Sequence, residues 1–288
     1  PGQENSGSSR RGELLPPRSL EEIVTEFFWS LRLSFSQGFD QQPTMLQPVG
    51  GMDRIVRAFE AKVSSDLVVN ARVTEIRKAD AGVRVVYEDR AGAPVSVEAD
   101  YGIVTIPAPV LAGIANDFSP EHRAEINGFR YSSAVRVAFQ APRFWESEHN
   151  IFGGITWTDQ DITQIWYPNH GFLEPNGIVI GAYVFDGAAG DAFARLAPSD
   201  RLTRTLDQAA AVHPELPAQA ERGISVAWQK VPFQLGGWGT SAASVLLRAD
   251  DDFHFAGEHL SILQGWQEGA ILSAYAAIDG IVARDQNA

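Results

Sequence analysis

The sequence predicts an α/β domain combined with an α+β domain, and three observations lead to this prediction. Residues 102–106 are continuously apolar, which is typical of a strand buried in a parallel sheet. Near the C-terminus, the apolar strand candidate Phe253–Phe255 is followed by Gly257 and by an amphipathic helix from about Trp266 to Ala283. A strand that leads through a glycine turn into a helix can present backbone N–H groups to a ligand. From Tyr131 onward, strand candidates alternate with loops rich in Gly, Pro and Asn, which favours an α+β domain.

Composition limits the classes of partner. The chain has 288 residues, 44% of them hydrophobic, which is enough for one or two domains with sizeable cores. Its formal net charge of −13 argues against nucleic acid or an anionic membrane surface as a partner. No apolar run approaches the roughly 18 residues that a membrane span requires. Cysteine is absent, which excludes disulfides and zinc–thiolate sites, and no metal site is predicted.

The first part of the chain is predicted to contain a flexible tail followed by two helices. The chain starts with Pro1 and has no signal-peptide pattern, so we expect a processed or partial chain. Residues 1–17 are rich in Gly, Ser, Pro and charge, which predicts a flexible tail. Ser19 and Glu22 have the spacing of a capping box and predict a helix within residues 18–48. A second helix is predicted after Gly50–Gly51, with one apolar face formed by Met52, Ile55, Val56, Phe59 and Val63.

Alternating apolar residues predict the remaining strands. In the first domain they lie at residues 67–70, 73–76, 83–88 and 95–98, with a turn at residues 90–93. In the second domain they lie at residues 134–140, 164–167, 178–184 and 224–229, with helices at residues 188–196 and 198–211.

Two separate motifs resemble one known family. The segment FAGEHLS followed by GWQEGAILSAYAAI, between residues 255 and 278, is similar to the closing segment of flavin-containing amine and L-amino acid oxidases. The segment QPVGGMDRIVRAF at residues 47–59 resembles a mid-chain motif of the same family. The resemblance covers nearly the whole chain from about Ser19 and implies the C-terminal part of a two-domain fold, with an FAD-binding domain and a substrate-binding mixed-sheet domain. The implied boundaries are a tail at 1–17, a helical segment at 18–48, FAD-binding parts at 49–128 and 242–288, and a substrate-binding domain at 129–241.

The resemblance implies FAD as the cofactor and assigns its contacts. Glu258, at the end of a strand, can accept hydrogen bonds from ribose-like or ribityl hydroxyls. The backbone N–H groups at the start of the last helix are expected to face the flavin N1–C2=O edge, where negative charge arrives. The full set of expected cofactor-binding residues is Gly50, Gly51, Met52, Val73, Trp228, Phe233, Gly257, Glu258, Gly265, Trp266 and Gln267.

The resemblance also assigns the substrate side of the site. Arg136 stands where most members have a lysine that holds a water beside flavin N5, and arginine cannot lower its pKa as lysine can. Tyr167, within the segment QIWYPNH, matches a tyrosine that binds the substrate carboxylate in L-amino acid oxidases. The residues expected in catalysis are Arg136, Tyr167, Trp228, Gly265 and Trp266, and those expected to bind substrate are Tyr167, Gly237, Trp238 and Trp266.

A G-x-G-x-x-G fingerprint, which seats the pyrophosphate of a dinucleotide, is not present in the 288 residues. In the family this unit lies upstream. We therefore expect a separate N-terminal chain to supply the dinucleotide motif and a carboxylate-binding arginine. A homo-oligomer of that two-chain assembly is also expected.

The activity implied by the resemblance is oxidation of an L-amino acid by hydride transfer to flavin N5. O2 then reoxidises the flavin, and the products are a 2-oxo acid, ammonia and hydrogen peroxide. Two alternatives remain open at this point: a monoamine or polyamine oxidase, and a non-catalytic subunit that has lost the cofactor. Secretion is common among such oxidases, but no residue of this chain indicates its location.

Overall fold

The structure, a computed structural model, describes residues 3–4, 13–14, 16–17, 19–21, 38, 41, 45–185 and 187–286. Its strands are β1 (Gln3–Glu4), β2 (Glu13–Leu14), β3 (Arg72–Lys78), β4 (Val83–Glu88), β5 (Pro94–Ala99), β6 (Gly102–Val104), β7 (Ala115–Asn116), β8 (Val135–Pro142), β9 (Ile155–Trp157), β10 (Gln164–Trp166), β11 (Asn176–Val184), β12 (Glu221–Ala227) and β13 (Phe253–Phe255). Its helices are α1 (Asp53–Val63), α2 (Ala108–Leu111), α3 (Pro120–Gly128), α4 (Phe144–Ser147), α5 (Gly187–Arg195), α6 (Pro198–Ala209), α7 (Leu216–Gln219) and α8 (Gln267–Asp285). Short 3₁₀ helices occupy Trp228–Lys230 and Glu258–Leu260.

Residues 1–67 form one of two compact units. Strands β1 and β2 pair antiparallel in it, which the sequence did not predict. Helix α1 begins after Gly50 and Gly51, whose φ angles of +92° and +112° favour glycine. The predicted apolar face of α1 exists, but its side chains are largely exposed. The predicted helix within residues 18–48 and its capping box lie for the most part outside the described residues.

The second unit, residues 68–288, contains a four-stranded sheet and a separate two-stranded sheet. Strands β5, β4, β3 and β7 form a four-stranded sheet in that order. Strands β6 and β13 form a separate parallel pair, with Phe253 opposite Gly102 and Phe255 opposite Val104. This pairing, across about 150 residues of sequence, confirms a parallel strand at this point, but the strand ends at Val104 and Ile103 is exposed, so the predicted burial over residues 102–106 is wrong. A core formed by residues such as Ile76, Phe118 and Leu246 lies against both sheets.

The second unit also contains an antiparallel sheet of five strands in the order β12–β8–β11–β10–β9, which lies in the predicted substrate-binding domain. One face of this sheet packs against helices α5, α6 and α7 and forms a second core. Strand β8 shows the difference between the two faces of the sheet, because Val135 and Val137 are fully buried while Arg136 between them is exposed. The opposite face is called the open face below.

A β-bulge in β11 changes which residues face the core. Ile180 lies opposite Ala138, but Ala182 lies opposite Val137, so one extra residue, Gly181, is inserted in β11. Buried positions therefore shift from Val179 before the bulge to Ala182 and Val184 after it. A side chain at Gly181 would approach Thr205 of α6 to 2.8 Å, so α6 packs directly on the bulge.

Most predicted elements are present, with a few corrections. Residues 67–70 are irregular rather than a strand, since Asn70 has a φ of +57°, which breaks extended pairing. The strand predicted at 224–229 begins earlier, at Glu221, and gives way to a 3₁₀ helix at Trp228. Helix α3 was missed, although Ser119 caps it by accepting the N–H of His122. Within the described residues, no helix is long and apolar enough to cross a membrane.

Candidate functional site

A cavity of about 1000 Å³ lies beside the carboxyl end of β6. Its wall includes Val73 at the start of β3, residues 105–107 just beyond β6, and Phe233. In α/β proteins, nucleotides bind outside the carboxyl ends of parallel strands. The volume is at the upper end of the roughly 300–1,000 Å³ typical of small-molecule sites. The position and size fit a nucleotide, while the specific contacts of Val73 and Phe233 with a cofactor stay predictions.

Glu258 joins two loops at the same sheet edge. Because β13 is parallel to β6, the residues after Phe255 lie at the carboxyl edge of the pair. One carboxylate oxygen of Glu258 accepts the backbone N–H of Gly239 at 2.9 Å, and the other accepts the backbone N–H of Gly265 at 2.6 Å. Each oxygen still has a lone pair for a further donor. The expected contact with a hydroxyl of the cofactor therefore stays a prediction compatible with this geometry.

His259 fills the space that two glycines leave. A side chain at Gly257, which has a φ of +151°, would approach the His259 ring to 2.4 Å, and one at Gly239 would approach its Cβ to 2.6 Å. The ring also contacts Phe129 and Tyr131, with centroid distances of 5.4 and 5.9 Å. Burial lowers the pKa of His259 to about 4, so the imidazole is neutral at physiological pH.

The start of α8 is less open than the sequence suggested. Trp266 is the N-cap and Gln267 the first helical residue. The N–H of Trp266 donates to Leu263 at 3.3 Å, so only the first-turn N–H groups that begin with Gln267 lack an acceptor within the helix. Gly265 precedes the cap and has a φ of +82°. It is therefore not an N-cap glycine, and its left-handed backbone is the reason for glycine at this position.

Aromatic side chains cover the open face of the five-stranded sheet. Trp166, Tyr183, Phe185 and Trp238 form a continuous row, in which neighbouring ring centroids lie 5.6, 5.3 and 5.8 Å apart. We call these four residues the aromatic row. The guanidinium of Arg136 lies 4.2 Å from the centroid of the Tyr183 ring, and the face of this ring stabilises its positive charge.

The row reaches the start of α8. A Cβ added at Gly265 would lie 3.5 Å from Cγ of Trp238, in ordinary contact. The row thus links three of the predicted site residues: Arg136 contacts it at Tyr183, Trp238 belongs to it, and Gly265 lies against Trp238.

Tyr167 lies on the other face of the sheet. It follows Trp166 in the chain, and alternation turns its side chain toward the core, where it is 3% exposed. Its hydroxyl is hydrogen-bonded to Thr156 Oγ1 at 2.8 Å and to His213 Nε2 at 2.7 Å. No contact in the described part of the chain links Tyr167 to the aromatic row, so its carboxylate-binding role stays a prediction.

The remaining predicted residues near the row are held by close backbone packing. Side chains at Gly236 and Gly237 would approach Cβ of Tyr131 and of Ala134 to 2.5 and 2.8 Å, so this loop lies directly on the start of β8. The backbone N–H of Trp228 donates to the carbonyl of Ala134 at 2.9 Å, and the Trp228 side chain is exposed. Gly50, Gly51 and Met52 belong to the first compact unit, and their cofactor contacts stay predictions.

Comparison with known proteins identifies the family. The family model described as flavin containing amine oxidoreductase matches residues 12–281. The chain belongs to this family. The family resemblance of the two motifs is therefore confirmed, and FAD is the cofactor that the family implies.

Several curated relatives of this chain are amino acid oxidases. The flavin-dependent L-tryptophan oxidase RebO of Lentzea aerocolonigenes is 29% identical over 85% of the chain and 54% of its own length. The L-amino-acid oxidase of Mus musculus is 29% identical over 80% of the chain and 38% of its own length. That of Gloydius halys is 28% identical over 83% and 49%. The chain thus spans about half the length of the curated relatives it matches.

Solved structures confirm the fold. A triple mutant of putrescine oxidase superposes with a TM-score of 0.70 at 17% identity, covering 82% of the chain and 53% of the other. Cyclohexylamine oxidase from Brevibacterium oxydans IH-35A superposes with a TM-score of 0.67 at 17% identity and the same coverage. The α/β plus α+β architecture expected from the sequence is the architecture of these oxidases.

Sequence reasoning missed three residues of the candidate site. Tyr183 and Phe185 reach the open face only because of the bulge at Gly181, and a bulge leaves no clear sequence signal apart from a glycine in a strand. His259 follows Glu258 directly, but its packing depends on Gly239, which is distant in sequence.

Replacing Gly265 tests contact with the flavin. In the complete FAD-loaded oxidoreductase, Gly265→Ala should destabilise the fold by about 1–2 kcal/mol, because an alanine in the left-handed region is strained. As a flavin contact, it should also slow anaerobic flavin reduction, measured by rapid mixing with substrate, by at least about tenfold, the factor that roughly 1.4 kcal/mol of barrier produces. Gly92→Ala is the matched control, since Gly92 has a φ of +81° and an added Cβ there meets nothing within 4 Å. Equal reduction rates in the two variants would exclude the contact.

Burial of neutral His259 predicts a pH-dependent stability. An unfolded chain takes up a proton on this imidazole near pH 6.5, whereas the folded protein does so only near pH 4. The stabilisation is therefore complete above pH 6.5 and lost as pH falls to 4, by roughly 3 kcal/mol at about 1.4 kcal/mol per pKa unit. Denaturant unfolding at several pH values should show a shallower decline for His259→Gln than for wild type. His170→Gln, at an exposed histidine, should follow wild type. Parallel curves for His259→Gln and wild type would contradict the assignment.

Proposed function

We propose that this chain is part of an FAD-dependent L-amino acid oxidase. The reaction converts an L-amino acid, O2 and water to a 2-oxo acid, ammonia and hydrogen peroxide. The curated relatives support it, since the L-tryptophan oxidase and two L-amino-acid oxidases match over 80–85% of the chain. The observation that favours it within the site is the aromatic row, which carries Arg136 above Tyr183 and meets the loop that leads into α8 at Trp238.

The open face offers two kinds of contact that an amino acid needs. The aromatic row can bind an apolar or aromatic side chain and exclude water from the reacting atoms. Arg136 is permanently charged and has five N–H donors, which can hold a carboxylate or an ordered water. The first turn of α8 adds unpaired N–H groups and a positive dipole end where negative charge develops. When bound, FAD supplies the two-electron acceptor for the α-carbon hydride.

We further propose that a separate N-terminal chain completes the FAD site and supplies a second arginine for the carboxylate. The lack of a G-x-G-x-x-G fingerprint in the 288 residues supports this proposal. So does the parallel pair β6–β13, because within the described residues it has no further strand at its edges, whereas parallel sheets are normally buried and larger. The completed assembly is proposed to form a homo-oligomer.

Matched substrates test the carboxylate requirement. With the complete oxidase, hydrogen peroxide release should be faster from L-tryptophan than from tryptamine, and from L-phenylalanine than from phenethylamine. Each pair differs only in the carboxylate, whose charge-assisted hydrogen bonds contribute roughly 1.5–3 kcal/mol. A difference of about 10- to 100-fold in kcat/KM is expected. Equal or faster turnover of the amines would favour the amine oxidase alternative, whose fold putrescine and cyclohexylamine oxidases share.

The same assay tests whether the Tyr167 hydroxyl binds the substrate carboxylate or has only a structural role. If the Tyr167 hydroxyl holds the carboxylate, Tyr167→Phe should raise KM for L-amino acids about 10- to 100-fold with a smaller change in kcat. If it serves only Thr156 and His213, the variant should lose thermal stability at unchanged KM. Trp166→Phe on the open face should change KM in either case. Tyr87→Phe, in β4, is the control for loss of a hydroxyl.

Cofactor retention tests the two-chain proposal. This chain produced alone should lose FAD on gel filtration, and co-production with the N-terminal chain should restore a stoichiometric, coloured complex. Stoichiometric FAD on the isolated chain would reject the need for a partner. A complete assembly without flavin absorbance would instead support the non-catalytic alternative.

A further inference from the structure

We infer that His149, His213 and Glu215 form a binding site for a zinc-class divalent metal ion, at which no site was expected from the sequence. One donor atom of each residue lies within 4.8 Å of the other two. Two imidazole nitrogens and a carboxylate oxygen are a donor set that Zn²⁺ and related transition metals prefer. We call these three residues the His–His–Glu cluster.

The central observation is the state of His213. Its side chain is 3% exposed, and its Nδ1 is buried without a hydrogen-bond partner among the described residues. Nδ1 lies 3.8 Å from Oε1 of Glu215. A buried polar nitrogen without a partner costs free energy, so its presence calls for an explanation. A metal ion between Nδ1 and the Glu215 carboxylate would remove that cost.

Tyr167 fixes the orientation that a ligand needs. Its hydroxyl is hydrogen-bonded to the other ring nitrogen of His213, Nε2, at 2.7 Å, and to Thr156 Oγ1 at 2.8 Å. Metal-binding histidines characteristically use their second nitrogen in this way, which sets the ring orientation. The ring also packs edge-on against Phe144, with centroids 5.3 Å apart. His213 is therefore held with its free nitrogen directed at Glu215.

Backbone contacts position the other two ligands. The His213 N–H donates to Ala209 at the end of α6, and Pro214 and Glu215 lead directly into α7. His149 follows α4, and its N–H donates to Phe144 at 3.4 Å. The cluster thus joins the end of α4 to the α6–α7 turn, two segments 64 residues apart, His149 to His213.

The His213–Glu215 separation is already close to that between metal ligands, and no pair of donor atoms is more than 4.8 Å apart. Tetrahedral ligands bound at about 2.0–2.1 Å lie roughly 3.3 Å apart. His213 Nδ1 and Glu215 Oε1 are within half an ångström of that spacing. His149 Nε2 and Glu215 Oε1 are hydrogen-bonded to each other, so the metal replaces the proton that they share. His149 is partly exposed, which leaves an entry path and room for a water as the fourth ligand.

The site lies on the core face of the five-stranded sheet, opposite Arg136 and the aromatic row. We therefore assign it a structural role rather than a part in the oxidation. Through Tyr167, bound metal also restrains β10, which carries Trp166 on its other face.

Zinc binding to the untagged protein, treated with a chelator and dialysed against ZnCl2, tests the site. Metal analysis should give a single zinc ion per chain at saturation, and bound zinc should raise the melting temperature. His149→Gln, Glu215→Gln and His213→Gln should each weaken zinc binding at least about tenfold, and Tyr167→Phe should also weaken it about tenfold through His213. His170→Gln, at an exposed histidine outside the cluster, should bind zinc like wild type.

Two results would overturn the inference: no saturable zinc binding by the folded wild type, or wild-type affinity in His149→Gln and Glu215→Gln. The latter two residues are partly exposed, so their variants remain informative if His213→Gln does not fold. Co²⁺ substitution gives a second readout, since a tetrahedral site of this kind should produce visible absorption bands that the variants lack. None of these measurements depends on FAD or on oxidase activity, so the metal site and the proposed function can fail separately.

Discussion

The carboxylate of Glu258 is the interaction on which the candidate site depends. It accepts one backbone N–H from Gly239 and one from Gly265, the residue before the N-cap of α8. A negative charge in that place fixes both segments relative to the end of β13. His259, the next residue, fills the gap between the same segments with an uncharged ring. Polar and packing constraints from two adjacent residues therefore determine where the aromatic row meets the helix.

Periodicity predicted most elements because each has a regular pattern of burial. Strands β4 and β8 and helices α5 and α6 lie within two or three residues of their predicted limits. Strands β6 and β13 were each predicted, from a continuous apolar run and from a strand–glycine–helix motif, but the parallel pairing between them is known only from the structure. The family could also be read from two motifs, which the family model confirmed.

The site was less predictable because it depends on contacts between distant residues. A motif match placed Tyr167 at the substrate, but the face on which a three-residue strand presents each side chain is decided by pairing with its neighbours. The prediction of no metal site likewise rested on the absence of cysteine. The His–His–Glu cluster is formed by segments 64 residues apart, His149 to His213, which no local spacing rule can detect.

The extra residue at Gly181 has a consequence for comparing this chain with its relatives. A strand without that insertion would show the opposite set of side chains beyond the bulge, so Tyr183 would exchange places with its neighbours. An alignment gap misplaced by a single position here would therefore equate residues of the open face with core residues. Substrate specificity can be inferred from aligned residues of this strand only when the bulge itself is aligned. A one-residue insertion or deletion at this point would therefore change the side chains of the open face and leave the rest of the sheet in register.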